Sequence, residues 1–125
     1  MSVLIPISIG ELFDKYSILV IKSEKIKDSK KLENINKELN LLKSIKEKYN
    51  NNDLLNQLKS INKKLWDIEN EKRQKEKDKI FDNEFIELAR NVYIWNDKRS
   101  EIKNQINLFF NSNILDVKEY TQYNY

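Results

Sequence analysis

Four stretches of the chain carry apolar residues at alternating spacings of three and four, and this periodicity constrains the fold more than any other feature. It is clearest near the C-terminus, where the apolar positions are Phe85, Leu88, Val92, Trp95, Ile102, Ile106 and Phe109, with Arg99 in the same series. Residues three and four apart lie on one face of an α-helix. The pattern therefore predicts an amphipathic helix from about residue 82 to 110 that packs against other helices.

Three earlier helices follow from the same reasoning. The predicted start signals of the four helices are, in chain order, Ser8 with Glu11, Asp28 with Ser29, Asp53, and Asp82. Three asparagines at 50–52 separate the second helix from the third. The second half of the third helix is almost wholly charged up to Lys79, and we expect it to be either a solvated helical extension or a frayed end.

These elements predict an all-α fold. We expect one domain over residues 1–125, built as an antiparallel bundle of about four helices or as two long hairpins. A short extended arm at residues 1–7 precedes the bundle, and an irregular tail at residues 114–125 follows it. The sequence does not specify the order of the helices in space.

The composition excludes several kinds of chemistry. The chain has no cysteine and no histidine. Disulfides, thiolate nucleophiles, the usual zinc sites and a histidine base are therefore excluded. A carboxylate site for Mg²⁺ or Ca²⁺ remains open, but nothing in the sequence points to one, so we predict no metal and no cofactor.

The charge pattern and the hydropathy bear on partners and location. The 23 basic and 20 acidic residues are interleaved, so there is no basic stripe, which argues against a nucleic-acid partner. No apolar run reaches the roughly 18 residues that span a bilayer. The apolar start of the chain also lacks the basic segment of a signal peptide. We expect a cytoplasmic protein without a membrane partner.

Arg99 is the most unusual residue, because it occupies a position on the apolar stripe of the last helix. A buried guanidinium needs a carboxylate partner, since an isolated buried charge costs several kcal/mol. Glu11, Asp14 and Glu69, on other helices, are the candidates for that partner. One interpretation is a structural ion pair that fixes the packing of the helices, and the other is a polar site.

Helical spacing places further polar and aromatic residues on faces that could converge with Arg99. The predicted ligand-binding residues are Arg73, Arg90, Arg99, Lys15, Lys22, Lys103, Asn96, Tyr93 and Trp66. A guanidinium binds planar carboxylate and phosphate groups through two parallel hydrogen bonds, so clustered arginines favour an anionic ligand. The alternative is a series of salt bridges between helices on a highly charged surface.

Three functions fit these observations, and the sequence does not decide whether the protein is an enzyme. The first is a binding module for a small anion or a protein partner, either as a single chain or as a homo-oligomer. The second is a small enzyme acting on a carboxylated or phosphorylated metabolite, with Glu11, Glu69 or Asp97 as acid or base. The third is a structural or assembly accessory protein of a phage or bacterium.

Two motifs also carry a family resemblance. The first is Pro6-Ile7-Ser8-Ile9-Gly10-Glu11-Leu12 followed by Asp14-Lys15, and the second is Leu88-Ala89-Arg90, Val92-Tyr93, Asn96-Asp97 and Arg99. Together they make the chain resemble a family of small, uncharacterised helical proteins of bacteria and phages. The resemblance implies a helical fold and no established activity. It also implies that the polar residues singled out above belong to a recurring motif of that family.

Overall fold

Four helices make up the fold. The computed structural model describes residues 1–125, and its helices are α1 (Ile9–Lys25), α2 (Ser29–Lys46), α3 (Asn52–Lys77) and α4 (Asn83–Phe109). There is no β-strand, and residues 1–7 and 115–125 have no regular secondary structure. The all-α prediction is confirmed. None of the four helices is both long enough and apolar enough to cross a membrane.

Side-chain caps begin each helix. The backbone N–H groups of Glu11, Lys31, Leu54 and Phe85 donate to the side chains of Ser8, Asp28, Asn51 and Asp82, respectively. The prediction of Asp53 as a cap was wrong, because the cap is Asn51, two residues earlier, and Asp53 lies inside the first turn of α3. Each cap satisfies one of the N–H groups that a helix start leaves unpaired.

A residue in the left-handed backbone conformation follows each of the two long helices. Lys79 has a φ of 56° and Asn111 a φ of 54°, and both follow a helix C-terminus. The N–H groups of Ile80 and Ser112 then donate to the carbonyls of Lys75 and Asn107, at 3.0 and 2.8 Å. These hydrogen bonds are those of a Schellman motif, which ends a helix. The charged second half of α3 is thus a regular helical extension.

The helices pair as two hairpins, α1 with α2 and α3 with α4. Helix α1 also contacts both α3 and α4, whereas α2 contacts only α1. No residue of α2 is fully buried. The bundle is therefore a three-helix core of α1, α3 and α4 with α2 on the outside of α1.

The hydrophobic core lies where α1, α3 and α4 meet. Its buried members are Phe13, Leu58, Ile61, Leu65, Ile102 and Ile106. Phe110 packs against it, with its ring centroid 5.5 Å from that of Phe13. Full burial of such a side chain contributes roughly 1.5–3 kcal/mol relative to exposure, so this cluster is the main source of stability.

One position of the apolar stripe on α4 departs from the prediction. Phe109 is 62% exposed, and its neighbour Phe110 turns towards the core instead. A series of three-four spacings drifts by about 20° per heptad around a straight helix. Over the length of α4 this drift rotates the last predicted position out of the contact with α1 and α3.

Candidate functional site

A buried ion pair between α1 and α4 lies at the centre of the candidate site. The Asp14 side chain is 1% exposed and that of Arg99 is 30% exposed. Arg99 Nε donates to Asp14 Oδ1 at 2.9 Å, and Arg99 Nη2 donates to Asp14 Oδ2. The sequence named Asp14 among three possible partners of Arg99, and the structure selects it. A two-point contact of this kind fixes the plane of the guanidinium as well as its position.

Helix α3 contributes a third group to this centre. Asn62 Nδ2 donates to Asp14 Oδ1 and to Ser17 Oγ, both at 2.9 Å. Ser17 Oγ in turn donates to the backbone carbonyl of Asp14, also at 2.9 Å. The buried carboxylate therefore has hydrogen-bond donors from both neighbouring helices, which offsets the cost of removing it from water.

A second ion pair lies one turn further along the α1–α4 contact. Lys103 is buried, and its ammonium donates to Glu11 Oε2 at 2.7 Å and lies 3.9 Å from Asp14 Oδ2. Asp14, Arg99, Glu11 and Lys103 thus form one connected group of alternating charge. Because each charge has a partner, the group is stable in a partly buried position.

The close approach of α1 to α4 depends on Gly10. Its N–H donates to Asn107 Oδ1 at 2.6 Å. A Cβ atom at this position would lie 2.4 Å from the backbone oxygen of Lys103, which is closer than real Cβ atoms come to other atoms. Glycine is therefore required here for space, and its presence brings Glu11 and Asp14 within reach of α4.

Electrostatics keep the central pair ionised. Burial raises the pKa of the Asp14 carboxyl, but hydrogen bonds from Arg99 and Asn62 and the charges of Arg99 and Lys103 outweigh burial and lower it below its ordinary value. The hydrogen bond to Asp14 raises the pKa of the Arg99 guanidinium. Both groups are therefore charged at neutral pH.

Arg99 lines three neighbouring clefts. A polar cleft of about 130 Å³ has no apolar residue in its wall and is lined by Glu11, Asn96, Arg99, Ser100, Lys103 and Lys118. A second cleft, of about 400 Å³, lies among α1, α3 and α4 and includes Trp66 and Glu69. The third, the tail cavity, has about 790 Å³ and lies between α4 and residues 118–125. Asn96 and Arg99 line all three, so Arg99 is a shared part of their walls.

Most of the residues predicted for the site surround these clefts. Lys103, Asn96, Tyr93, Trp66 and Arg90 line at least one of them. The same holds for the three candidate acids or bases, Glu11, Glu69 and Asp97. Glu69, however, pairs with Lys72 at 3.0 Å and with Arg73 at 3.5 Å, and Asp97 accepts a hydrogen bond from the hydroxyl of Tyr123.

Other predicted residues pair within their own helix or lie outside the clefts that Arg99 lines. The Arg73 side chain is 79% exposed and contacts only Glu69 on its own helix. Arg90, 45% exposed, pairs with Glu87 at 2.8 Å, again within one helix. Lys15 is exposed and Lys22 is half-buried, and neither lines any of the three clefts. Arg73 therefore lies apart from Arg99, whereas Arg90 shares the wall of the tail cavity with Arg99 while pairing with Glu87.

Several residues of the site were not among the predicted ligand-binding residues. Asn62 lies on a polar stripe of α3 that the spacing does reveal, but nothing in that stripe indicates contact with Asp14. Lys118 and Tyr123 belong to the irregular tail, where no periodicity exists to place them. No group of three or more carboxylates comes together in a way that could hold a metal ion.

Comparison with known proteins places the chain in a family. The model of a family of unknown function, DUF6165, matches residues 3–124. The chain belongs to this family. The DUF6165 match includes all four helices and every residue of the Asp14–Arg99 centre. No curated protein and no solved structure matches the chain.

Proposed function

We propose that the protein is a binding module for a small anion, a phosphate or a carboxylate, held in the polar cleft beside Arg99. The observation that most supports this proposal is that the Arg99 guanidinium is hydrogen-bonded to Asp14 through only some of its donors. Nε and Nη2 are engaged by Asp14, whereas Nη1 makes no hydrogen bond and the side chain is 30% exposed. Arg99 is thus fixed in position by its buried partner while some of its donors remain free.

The charges around the cleft favour an anion. The wall of the cleft carries three positive charges, on Arg99, Lys103 and Lys118, and one negative charge, on Glu11. Asp14 and Asp116 add two negative charges from outside that wall, so the attraction for an anion depends on the position of the cations rather than on a surplus of positive charge. Lys118 has no carboxylate within salt-bridge distance, and its ammonium lies 5.9 Å from the centre of the Tyr120 ring, so its hydrogen-bond donors remain available to a ligand.

The cleft suits binding better than acid–base catalysis. The lowered pKa of Asp14 makes it a permanent anion at neutral pH, so its role is to hold Arg99 rather than to transfer a proton. A volume of about 130 Å³ with a wholly polar wall matches the size and hydration of a phosphate or carboxylate group. Arginine and lysine are the side chains that recognise such groups.

Titration of the full-length protein with inorganic phosphate and with succinate tests this proposal. Phosphate or succinate at a hundredfold excess over its dissociation constant should raise the free energy of unfolding by about 2.7 kcal/mol. Lys118→Gln should weaken binding about tenfold, since a hydrogen bond to a charged group contributes roughly 1.5–3 kcal/mol. Lys37→Gln, at an exposed position of α2, is the matched control and should bind like the wild type.

Two results would contradict the proposal. One is the absence of any stabilisation by either anion. The other is a stabilisation that is unchanged in both Lys118→Gln and Asn96→Ala, because binding would then lie elsewhere. Lys118 is in the irregular tail and forms no ion pair, so its replacement tests the cleft without removing a contact of the core.

A further inference from the structure

The tail cavity is lined by an unusual number of tyrosines. Tyr93 on α4 and Tyr120, Tyr123 and Tyr125 in the tail all belong to its wall. Their exposed fractions are 45, 70, 38 and 71%, so each ring keeps free surface even though it lines a cavity. Of the six tyrosines in the chain, four are concentrated here.

Side-chain contacts hold the tail beside α4. The Tyr123 hydroxyl donates to Asp97 Oδ2. The ring of Tyr123 meets that of Tyr93 edge-on, with centroids 5.1 Å apart and an interplanar angle of 84°. The ring of Tyr125 lies beside that of Tyr123, with centroids 5.7 Å apart. Because this segment has no backbone pairing with the helices, these contacts make Tyr123 the main attachment of the tail to α4.

The tail cavity and the polar cleft are adjoining parts of one surface. Asn96, Arg99 and Lys118 line both of them. An anionic group held by Arg99 and Lys118 would therefore have the rest of its molecule next to the tyrosines. The tail cavity, at about 790 Å³, is within the range of roughly 300–1,000 Å³ that is usual for small-molecule sites, and a bare phosphate would leave most of it empty.

We infer that the ligand is an aromatic phosphate or carboxylate whose planar ring lies among Tyr93, Tyr120 and Tyr123 while its anionic group contacts Arg99 and Lys118. The inference rests on the proposed function and narrows it to a ligand class. Tyrosine rings offer flat apolar faces together with hydroxyl groups, which suits a planar ring that carries polar substituents. Stacking on an aromatic side chain tolerates many kinds of ring, so the cavity defines a class rather than a single compound.

Paired probes that differ in the ring test the inference. Phenyl phosphate and glycerol phosphate share the phosphate monoester, and only the first has an aromatic ring. Calorimetric titration of the full-length protein should show phenyl phosphate binding about tenfold more tightly, as expected for one stacked ring. Tyr120→Ala, which removes a ring of the cavity without touching the Tyr123 contacts that attach the tail, should remove most of that preference and leave the affinity for glycerol phosphate within about twofold of the wild type. Tyr120→Phe, which keeps the ring and loses the hydroxyl, should retain the preference.

The outcomes separate this inference from the proposed function. Equal affinity for the two probes, with both weakened by Lys118→Gln, would overturn the inference and leave the anion site in place. Binding of neither phenyl phosphate nor glycerol phosphate, nor of inorganic phosphate or succinate, would overturn both. A preference for phenyl phosphate that persists undiminished in Tyr120→Ala would also overturn the inference, since the ring would then lie outside the tail cavity. The same holds if Tyr120→Ala weakens both probes equally, because Tyr120 would then act on the anionic group.

Discussion

The guanidinium of Arg99 donates two hydrogen bonds to the carboxylate of Asp14, which is 85 positions earlier in the chain. This pair joins the first helix to the last at a point where the aspartate is completely enclosed and the arginine is partly open to solvent. Asn62 adds a donor from α3. One buried carboxylate therefore contacts both of the helices that pack against α1 in the core.

Removal of the arginine should destabilise the fold strongly. Arg99→Leu leaves Asp14 buried with only Asn62 and the more distant Lys103 as partners, and the loss of one member of a buried pair costs about 3–5 kcal/mol. Chemical denaturation followed by circular dichroism measures this change. Arg90→Leu is the control, since its exposed pair with Glu87 should contribute less than about 1 kcal/mol. Equal losses in the two variants would show that the Asp14 contact is not special.

Lowering the pH should decrease the stability of the folded protein through the ionisation of Asp14. The carboxyl has a pKa below its ordinary value of 3.8 in the folded state, because the hydrogen bonds and nearby positive charges outweigh burial. Above pH 3.8 its contribution to stability is fully present. As the pH falls through 3.8 towards the lower folded-state pKa, the unfolded chain takes up a proton that the folded protein does not, and the free energy of unfolding decreases.

Unfolding measured as a function of pH, in the wild type and in Asp14→Asn, isolates this contribution. The stability advantage of the wild type over the variant should shrink below pH 3.8. If Asp14→Asn does not fold, Asn62→Ala provides the comparison, since it removes one donor and should reduce the acid sensitivity in part. An advantage that stays constant as the pH is lowered below 3.8 would mean that Asp14 does not hold its lowered pKa in the folded protein.

Alanine at position 10 should be destabilising although alanine favours helices. The added Cβ would lie 2.4 Å from the Lys103 backbone oxygen and 2.9 Å from Asn107 Oδ1, so α1 and α4 would have to separate. Crowding of this kind costs about 1–3 kcal/mol, which exceeds the roughly 1 kcal/mol gained by replacing glycine in a helix. Thermal unfolding should therefore occur at a lower temperature. Ser44→Ala, at an exposed position of α2, adds a residue that favours helices without crowding a neighbouring helix, so it should not lower the unfolding temperature. A Gly10→Ala protein as stable as the wild type would contradict the required close contact.

The attachment of the tail should be visible in the ionisation of a single tyrosine. The hydrogen bond to the Asp97 carboxylate, with a smaller contribution from desolvation, raises the pKa of Tyr123 from 10.0 to about 12. The contact is fully present below pH 10 and is lost as the pH rises through about 12, because the ionised phenol cannot donate to a carboxylate. Tyrosinate absorbance should show one of the six tyrosines titrating late.

Asp97→Asn supplies the check on that assignment. It removes the charged acceptor, so the late titration should move towards pH 10. Glu101→Gln, on an exposed position of the same helix, should leave it in place. Late ionisation that survives in Asp97→Asn would assign the shift to another tyrosine or to another cause.

The sequence predicted the helices well and the site only in part. Apolar spacing and capping residues are local features, so all four helices and three of their four caps could be recognised. Spacing also identified Arg99 as a buried charge. It could not specify which helix its side chain meets, because that depends on the crossing of helices far apart in the chain. Arg73 and Arg90 both pair with a carboxylate on their own helix, and of these two only Arg90 lines a cavity together with Arg99.

The remaining features depend on contacts that leave no pattern in the sequence. Gly10 was recognised only as part of a motif, and its role is apparent only from the distance to Lys103 on α4. The tail residues Lys118 and Tyr123 have no periodic neighbours, so their position beside Arg99 and Asp97 follows from individual contacts.

Among the helices, α2 contacts only α1, and none of its residues is fully buried. It could therefore open and close as a local unit while the other three helices stay folded, in the manner of a subglobal unfolding event. The outward flank of α1 would be uncovered during such an opening, whereas the flank that carries Glu11 and Asp14 would stay against α4. The proposed binding at Arg99 should therefore be separable from the local stability of α2, and substitutions on α2 should change that stability without reaching the Asp14–Arg99 pair.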